Sequence, residues 1–254
     1  MGKKIKTQII HTGSSPGEHF GSINDPIYKN STLVFESYRS FLDAKKKKFN
    51  LPYYGRISTY TTRKFEKTIT SLYKSKHSVL TSSGLSAITI TLRSLLKSND
   101  QILITENCYE PVFNFSKIEL SRFGVKTYFY PNNFNKLENL INKQTKIIYV
   151  ESPSSLNYEV EDLLKITKIA KKKKIITVID NTWSTFLGCN PFDYNFDIVI
   201  ESATKYLSGH SDNFLGIITT KSDNLNPRDN TPTLSGTAET GQETAHRTPP
   251  SARH

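Results

Sequence analysis

The chain has 254 residues, enough for one or two domains and for a core that needs neither disulfide nor metal staples. Hydrophobic residues make up 36% and charged residues 22%, with 14 Phe and 13 Tyr, which excludes a disordered composition. The net charge of +11 does not by itself point to nucleic acid: 26 of the 34 basic residues are Lys, gathered in runs such as 45–48 and 171–174 that read as solvated surface.

The first thirteen residues, MGKKIKTQIIHTG, are basic but hold no apolar stretch of the kind a secretory signal needs. Lys6 stands where N-myristoylation requires Ser or Thr. No run approaches about 18 apolar residues, so no membrane partner is expected. Cys108 and Cys189 form no disulfide framework and no C-x-x-C pair, which points to a reducing, cytoplasmic setting. Residues 1–60 are rich in Ser, Thr, Tyr and Asn, lack periodicity, and read as an extended N-terminal arm.

Helical spacing of Phe65, Ile69 and Leu72 predicts a helix over 62–74. A strand follows at 78–81, then a tight Ser-Ser-Gly turn, then a helix with Ile88, Leu92 and Leu95 on one stripe. The run QILIT predicts a strand at 101–105. Pro111 and Gly124 bracket the next helix. Further strands are expected at 125–130, 146–150, 175–179, 197–200 and 214–219, with a helix at 161–173. Strands alternating with helices predict a three-layer α/β/α domain over 61–224 with a mostly parallel sheet. Ligands bind such sheets at the carboxyl ends of the strands.

Residues 225–254 differ in composition. They hold no Lys, Ile or aromatic residue, but four prolines, six threonines and three of the eight arginines. Such a segment is expected to be a disordered tail foreign to the domain.

Common catalytic signatures are absent: there is no G-x-G-x-x-G, no Walker loop and no H-E-x-x-H, and no metal site is expected. Ser202-Ala203-Thr204-Lys205 followed by Ser211-Asp212-Asn213 has the look of a serine β-lactamase. However, the two motifs lie too close together, K-T-G is missing, and S-x-x-K should open a helix rather than end a strand.

Four clusters at strand ends fit a different chemistry. The turn at Gly84-Leu85 offers free N–H groups and a helix dipole to a phosphate, although Ser-Gly also caps many structural helices. Asp180 ends an apolar strand and needs a partner, whether a ligand or a structural ion pair. Lys205 follows an apolar strand and the hydroxyls of Ser202 and Thr204; burial there would be costly and would make its amine nucleophilic. Tyr109 follows strand 101–105, where its ring could stack on a planar ligand. Together they describe a ligand with a phosphate, an aromatic ring, a ring nitrogen and a carbonyl, and pyridoxal 5'-phosphate meets each requirement.

Ala203-Thr204-Lys205-Tyr206-Leu207-Ser208-Gly209-His210-Ser211-Asp212 resembles the lysine signature of the Cys/Met-metabolism family of pyridoxal-phosphate-dependent enzymes, members of the aspartate-aminotransferase-like fold type I. Residues 178–183 (VIDNTW) are similar to its pyridine-binding strand, 83–87 to its phosphate turn, and Tyr53-Tyr54-Gly55-Arg56 to its arm motif. The Tyr-Gly-Arg triplet and Trp183 look more like the β-lyase branch than like γ-synthases or γ-lyases.

The resemblance implies that Lys205 forms a Schiff base with the cofactor and shuttles the proton. It implies that Asp180 pairs the pyridine nitrogen and that Tyr109 stacks on the ring. Gly84, Leu85, Ser202 and Thr204 would bind the phosphate. Tyr54 and Arg56 would reach the cofactor of a neighbouring subunit, in a homo-oligomer that is a tetramer of two dimers. The implied reaction is α,β-elimination of cystathionine to homocysteine, pyruvate and ammonia, in methionine biosynthesis. Family members carry a small C-terminal domain with an arginine for the substrate's α-carboxylate. The resemblance stops near Ser222, so that domain is expected to be missing, and none of Arg228, Arg247 and Arg253 can be carried over. The alternatives are a γ-synthase or γ-lyase, a cofactor-binding remnant without turnover, or a basic nucleic-acid-binding protein.

Overall fold

Five strand segments of the chain are almost wholly buried, and they form the middle of one sheet. The structure is a computed structural model, and it describes residues 5–226 together with Arg228. The strands are β1 (His77–Thr81), β2 (Gln101–Thr105), β3 (Lys126–Tyr130), β4 (Thr145–Glu151), β5 (Ile176–Asp180), β6 (Ile198–Ser202) and β7 (Gly216–Thr220). They are ordered β1-β7-β6-β5-β4-β2-β3. The five from β6 to β3 pair in parallel. β7 runs antiparallel to both β6 and β1. It follows β6 with no intervening helix, so the chain turns straight back instead of crossing over.

Helices cover both faces, as parallel strands buried on two sides require. On one face lie α3 (Tyr60–Tyr73) and α8 (Leu163–Lys173), packed on a core that includes Ile69, Tyr73, Ile148, Ile166 and Ile179. On the other lie α4 (Gly84–Leu95) and α5 (Glu110–Asn114), over Ile88, Leu92, Ile104, Val112 and Val178. The expected three-layer architecture is what the chain adopts. The helix bracketed by Pro111 and Gly124 continues from α5 through one π-helical turn, Phe115–Glu119, into α6 (Leu120–Arg122). Gly124 then takes a φ of +75°, the left-handed cap that ends it.

The arm is less extended than its composition suggested. α1 (Ile5–His11) and α2 (Tyr38–Lys46) are helical. Ser37 caps α2 in a reciprocal box with Ser40, a polar signal that hydrophobic periodicity does not carry. Short helices α7 (Phe134–Leu140) and α9 (Thr185–Gly188) were likewise not anticipated. The arm is tied to α3 by the Tyr28 N–H donating to Thr61 Oγ1 at 2.8 Å and by Arg63 reaching the carbonyls of Lys48 and Leu51. Phe20, Ile23, Ile27 and Val34 of the arm remain exposed.

The segment read as a tail begins on the body of the fold. Leu225 packs against the α4 face, and Arg228 pairs with the buried Glu66 of α3. Arg247 and Arg253, and the disorder expected of residues 229–254, lie outside the described residues.

Candidate functional site

The carboxyl ends of β4, β5 and β6 and the start of α4 open onto a cavity of about 730 Å³. Its walls include Gly84, Leu85, Tyr109, Asp180, Ser202, Thr204 and Lys205, so seven of the nine residues singled out from sequence converge on it. Side-chain alternation explains part of this. Asp180 and Ser202 end adjacent strands and point to the α4 side, as Val178 and Ile200 do before them.

The turn into α4 is built for close approach. A Cβ on Gly84 would lie 2.5 Å from the Cβ of Ser202 and 3.0 Å from its Cα. Ser83 caps the helix by accepting the Ser86 N–H at 3.0 Å. The N–H groups of Gly84 and Leu85 have no acceptor among the described residues. Ser202 Oγ, against which the turn packs, makes no hydrogen bond among them either. This corner can take an anion.

Asp180 is buried. Its Oδ1 accepts the Thr182 N–H at 2.9 Å, and Tyr149 donates its hydroxyl to Oδ2 at 3.5 Å. Burial pushes its carboxyl above the usual carboxylate range. It makes no ion pair among the described residues. A buried carboxylate without a cation, facing an open cavity, suits a protonated ring nitrogen. Tyr109, at the rim before α5, is held by its backbone N–H donating to Glu151 Oε2 at 2.7 Å.

Lys205 lies in the turn after β6 and is exposed. The expectation that burial makes its amine costly does not hold for this chain, because the turn lifts it past the end of the strand. Thr204 lines the cavity, but its hydroxyl is engaged with the backbone of Leu215, accepting the N–H at 2.9 Å and donating to the carbonyl at 3.2 Å. It anchors the lysine turn to the start of β7 and has less to offer an anion than Ser202.

Tyr54 and Arg56 are not brought to this cavity. They line another of about 360 Å³ with Phe35, Phe41 and Tyr53, and the Arg56 guanidinium lies 5.8 Å from the Tyr54 ring centroid. Gly55 between them is required because a Cβ would meet the Asn30 carbonyl oxygen at 2.0 Å.

Sequence reasoning passed over Glu151 in the wall. Glu151 is buried one strand from Asp180, accepts hydrogen bonds from Tyr109 and Ser155, and is pushed up to about 7 by burial and by the charge of Asp180. It ends an apolar strand just as Asp180 does, so the signal that found one could have found the other. Trp183 stands edge-on to Tyr158 and Tyr206, at 5.9 and 6.3 Å between centroids, an aromatic row beside Lys205.

Comparison with known proteins agrees with this chemistry. Residues 6–244 match the family described as Cys/Met metabolism PLP-dependent enzyme. A "Putative cystathionine beta-lyase" of Saccharomyces cerevisiae is 37% identical over 214 residues, 84% of this chain and 62% of that protein. An L-methionine gamma-lyase of Fusobacterium nucleatum is 32% identical, over 85% of this chain and 55% of its own length. The "putative O-acetylhomoserine (thiol)-lyase" of Campylobacter jejuni was crystallised with N'-pyridoxyl-lysine-5'-monophosphate. It superposes with a TM-score of 0.81 and 25% identity, covering 90% of this chain and 56% of its own. The chain thus spans little more than half the length of the relatives it matches. It belongs to the Cys/Met-metabolism family of pyridoxal-phosphate-dependent enzymes, with the fold type I architecture and with pyridoxal 5'-phosphate as its cofactor.

Proposed function

We propose that the protein is a carbon-sulfur lyase that splits cystathionine and water into homocysteine, pyruvate and ammonia by α,β-elimination, in the cytoplasm and in the service of methionine biosynthesis. The observation that carries this reading is the convergence of Lys205, Asp180, the Gly84 turn and Tyr109 on one cavity, with Trp183 in its wall.

Bound pyridoxal 5'-phosphate supplies an electron sink for the charge left when the substrate's α-proton is removed. The chain's residues do the rest. The N–H groups of Gly84 and Leu85 and the hydroxyl of Ser202 hold the phosphate, with Thr204 in support. Asp180 keeps the pyridine nitrogen protonated, since a carboxylate favours the charged form of a partner cation. Tyr109 covers the ring. The Lys205 amine would hold the cofactor's carbonyl carbon until the substrate's amine displaces it, and once free would take the α-proton and return a proton to the departing sulfur. Tyr54 and Arg56 serve the site of a neighbouring copy, in a tetramer of two dimers; their separation from Lys205 within one chain supports this placement. The exposed apolar residues of the arm support it too.

The test is product analysis after incubation with cystathionine and the cofactor. Pyruvate and homocysteine in equal amounts are expected. A γ-lyase reading, favoured by the methionine gamma-lyase relative, predicts 2-oxobutanoate instead. Absence of any oxo acid would overturn both and favour a cofactor-binding protein without turnover.

A further inference from the structure

Asp180 and Ser202 have chain neighbours, Asn181 and Glu201, that point to the opposite face of the sheet by the same alternation. There a third residue meets them. Tyr73, the last residue of α3, is fully buried, and its hydroxyl donates to Glu201 Oε1 at 2.6 Å. The Tyr73 hydroxyl oxygen in turn accepts a hydrogen bond from Asn181 Nδ2 at 3.0 Å. Asn181 Nδ2 also donates to the carbonyl of Cys189 at 3.0 Å, and Asn190 Nδ2 donates to the carbonyl of Tyr73 at 3.1 Å. Phe186 and Phe192 hold the Tyr73 ring edge-on, at 5.8 and 6.0 Å between centroids. One hydroxyl therefore joins the end of β5, the end of β6 and the segment 181–190, which includes α9 and carries Thr182 and Trp183 into the cavity.

A buried carboxyl is costly and is rarely kept for stability alone. Glu201 is 2% exposed, and its Oε2, like Asn181 Oδ1, has no partner among the described residues. An apolar side chain of similar size would avoid that cost but could not bridge the two strand ends.

We propose that Glu201 is a positioning residue of the cofactor site: through Tyr73 and Asn181 it fixes the two strand ends that present Asp180 and the Ser202–Lys205 segment to pyridoxal 5'-phosphate. The inference rests on the assignment of Asp180 and Lys205 to the cofactor. The groups that act on Glu201 are the Tyr73 hydroxyl from α3 and the Asp180 carboxyl across β5. Burial pushes its carboxyl up to about 8, so it carries its proton at neutral pH and adds no charge behind Asp180.

The experiment compares E201L, Y73F and E201Q with the unaltered protein by spectrophotometric titration with pyridoxal 5'-phosphate and by thermal melting without it. E201L removes the bridge and also the buried acid, so its melting temperature is expected to hold while its dissociation constant rises about tenfold. Y73F, which keeps the ring, raises it similarly. E201Q still accepts from Tyr73 and keeps affinity close to that of the unaltered protein, while its melting temperature falls less steeply than that of the unaltered protein as pH rises toward about 8. Unchanged dissociation constants in E201L and Y73F, with or without a loss of melting temperature, would overturn the inference alone. Borohydride fixing the cofactor to a lysine other than Lys205 would overturn the site assignment and the inference with it.

Discussion

Glu151 and Asp180 are register partners at the ends of β4 and β5, both buried, with no cation paired to either among the described residues. Two carboxyls so placed resist ionising together, and burial raises both, Glu151 to about 7. An acid whose pKa is raised on folding holds its proton in the folded state when the unfolded chain has lost it. The folded state then binds more protons, and stability falls as pH rises from the ordinary carboxylate range through about 7. The cofactor-free protein should therefore melt at a higher temperature at mildly acidic pH than at pH about 8. Glu151→Gln should remove its share of that difference, on the order of 3 kcal/mol at alkaline pH, with the buried Glu161 and Glu201 supplying the rest of the slope. Melting curves across pH check this. A variant with the same pH slope as the unaltered protein would show that Glu151 does not contribute to it.

Lys205 carries the second prediction. Among the described residues it is the only lysine in the cavity wall, and its turn is anchored by Thr204 to Leu215. Borohydride should fix the cofactor on this residue, and Lys205→Ala should abolish the visible absorbance band of the bound cofactor. Peptide mapping of the reduced protein decides it; a labelled peptide from any other part of the chain contradicts the assignment.

Much of this was legible in the sequence because it rests on local rules. The buried strands are short apolar runs, and Asp180, Lys205 and the Gly84 turn stand at their ends, where the fold class places ligands. What was not legible depends on pairing across the sheet. β7 reads like any other strand, and only the absence of a helix between 202 and 216 betrays its antiparallel return. Lys205 follows an apolar strand but is raised into solvent by a turn that no periodicity encodes. Glu201 lies inside the apolar run of 198–202, where alternation alone does not say which face carries a partner; Tyr73, 128 positions away, supplies it. Ser37 and Ser40 could have revealed α2, since reciprocal hydroxyl capping is a sequence-level signal.

Asp180 is tested by removing its charge and keeping its shape. Asp180→Asn retains an acceptor for the Thr182 N–H, so the end of β5 should keep its geometry and the cofactor should still bind. A neutral amide does not hold a pyridine nitrogen in its protonated form as a carboxylate does. Exchange of the substrate's α-proton with solvent, followed by NMR in deuterium oxide, should slow by about 10²-fold or more. Exchange at the unaltered rate would remove Asp180 from the mechanism.

Gly84 and Gly216 make a matched pair. A Cβ on Gly84 would meet the Cβ, Oγ and Cα of Ser202, and one on Gly216 would meet the Ser83 carbonyl oxygen at 2.1 Å. The turn at 82–85 thus seats against β6 and β7 without room for one carbon more. In Gly84→Ala the turn must move, because Ser202 cannot: its N–H is held by Thr182 Oγ1 at 2.8 Å and its strand pairs with β7. Overpacking of this kind costs about 1–3 kcal/mol. The same displacement carries the N–H groups of residues 84 and 85 away from the anion corner, so cofactor affinity should fall along with melting temperature. Adding Ser202→Gly to Gly84→Ala removes the clashing Cβ and hydroxyl. The double variant should therefore regain part of the lost stability and little of the affinity, since the hydroxyl assigned to the phosphate has gone. Full recovery of affinity in the double variant would mean that Ser202 does not contact the phosphate and that the corner binds through the backbone alone.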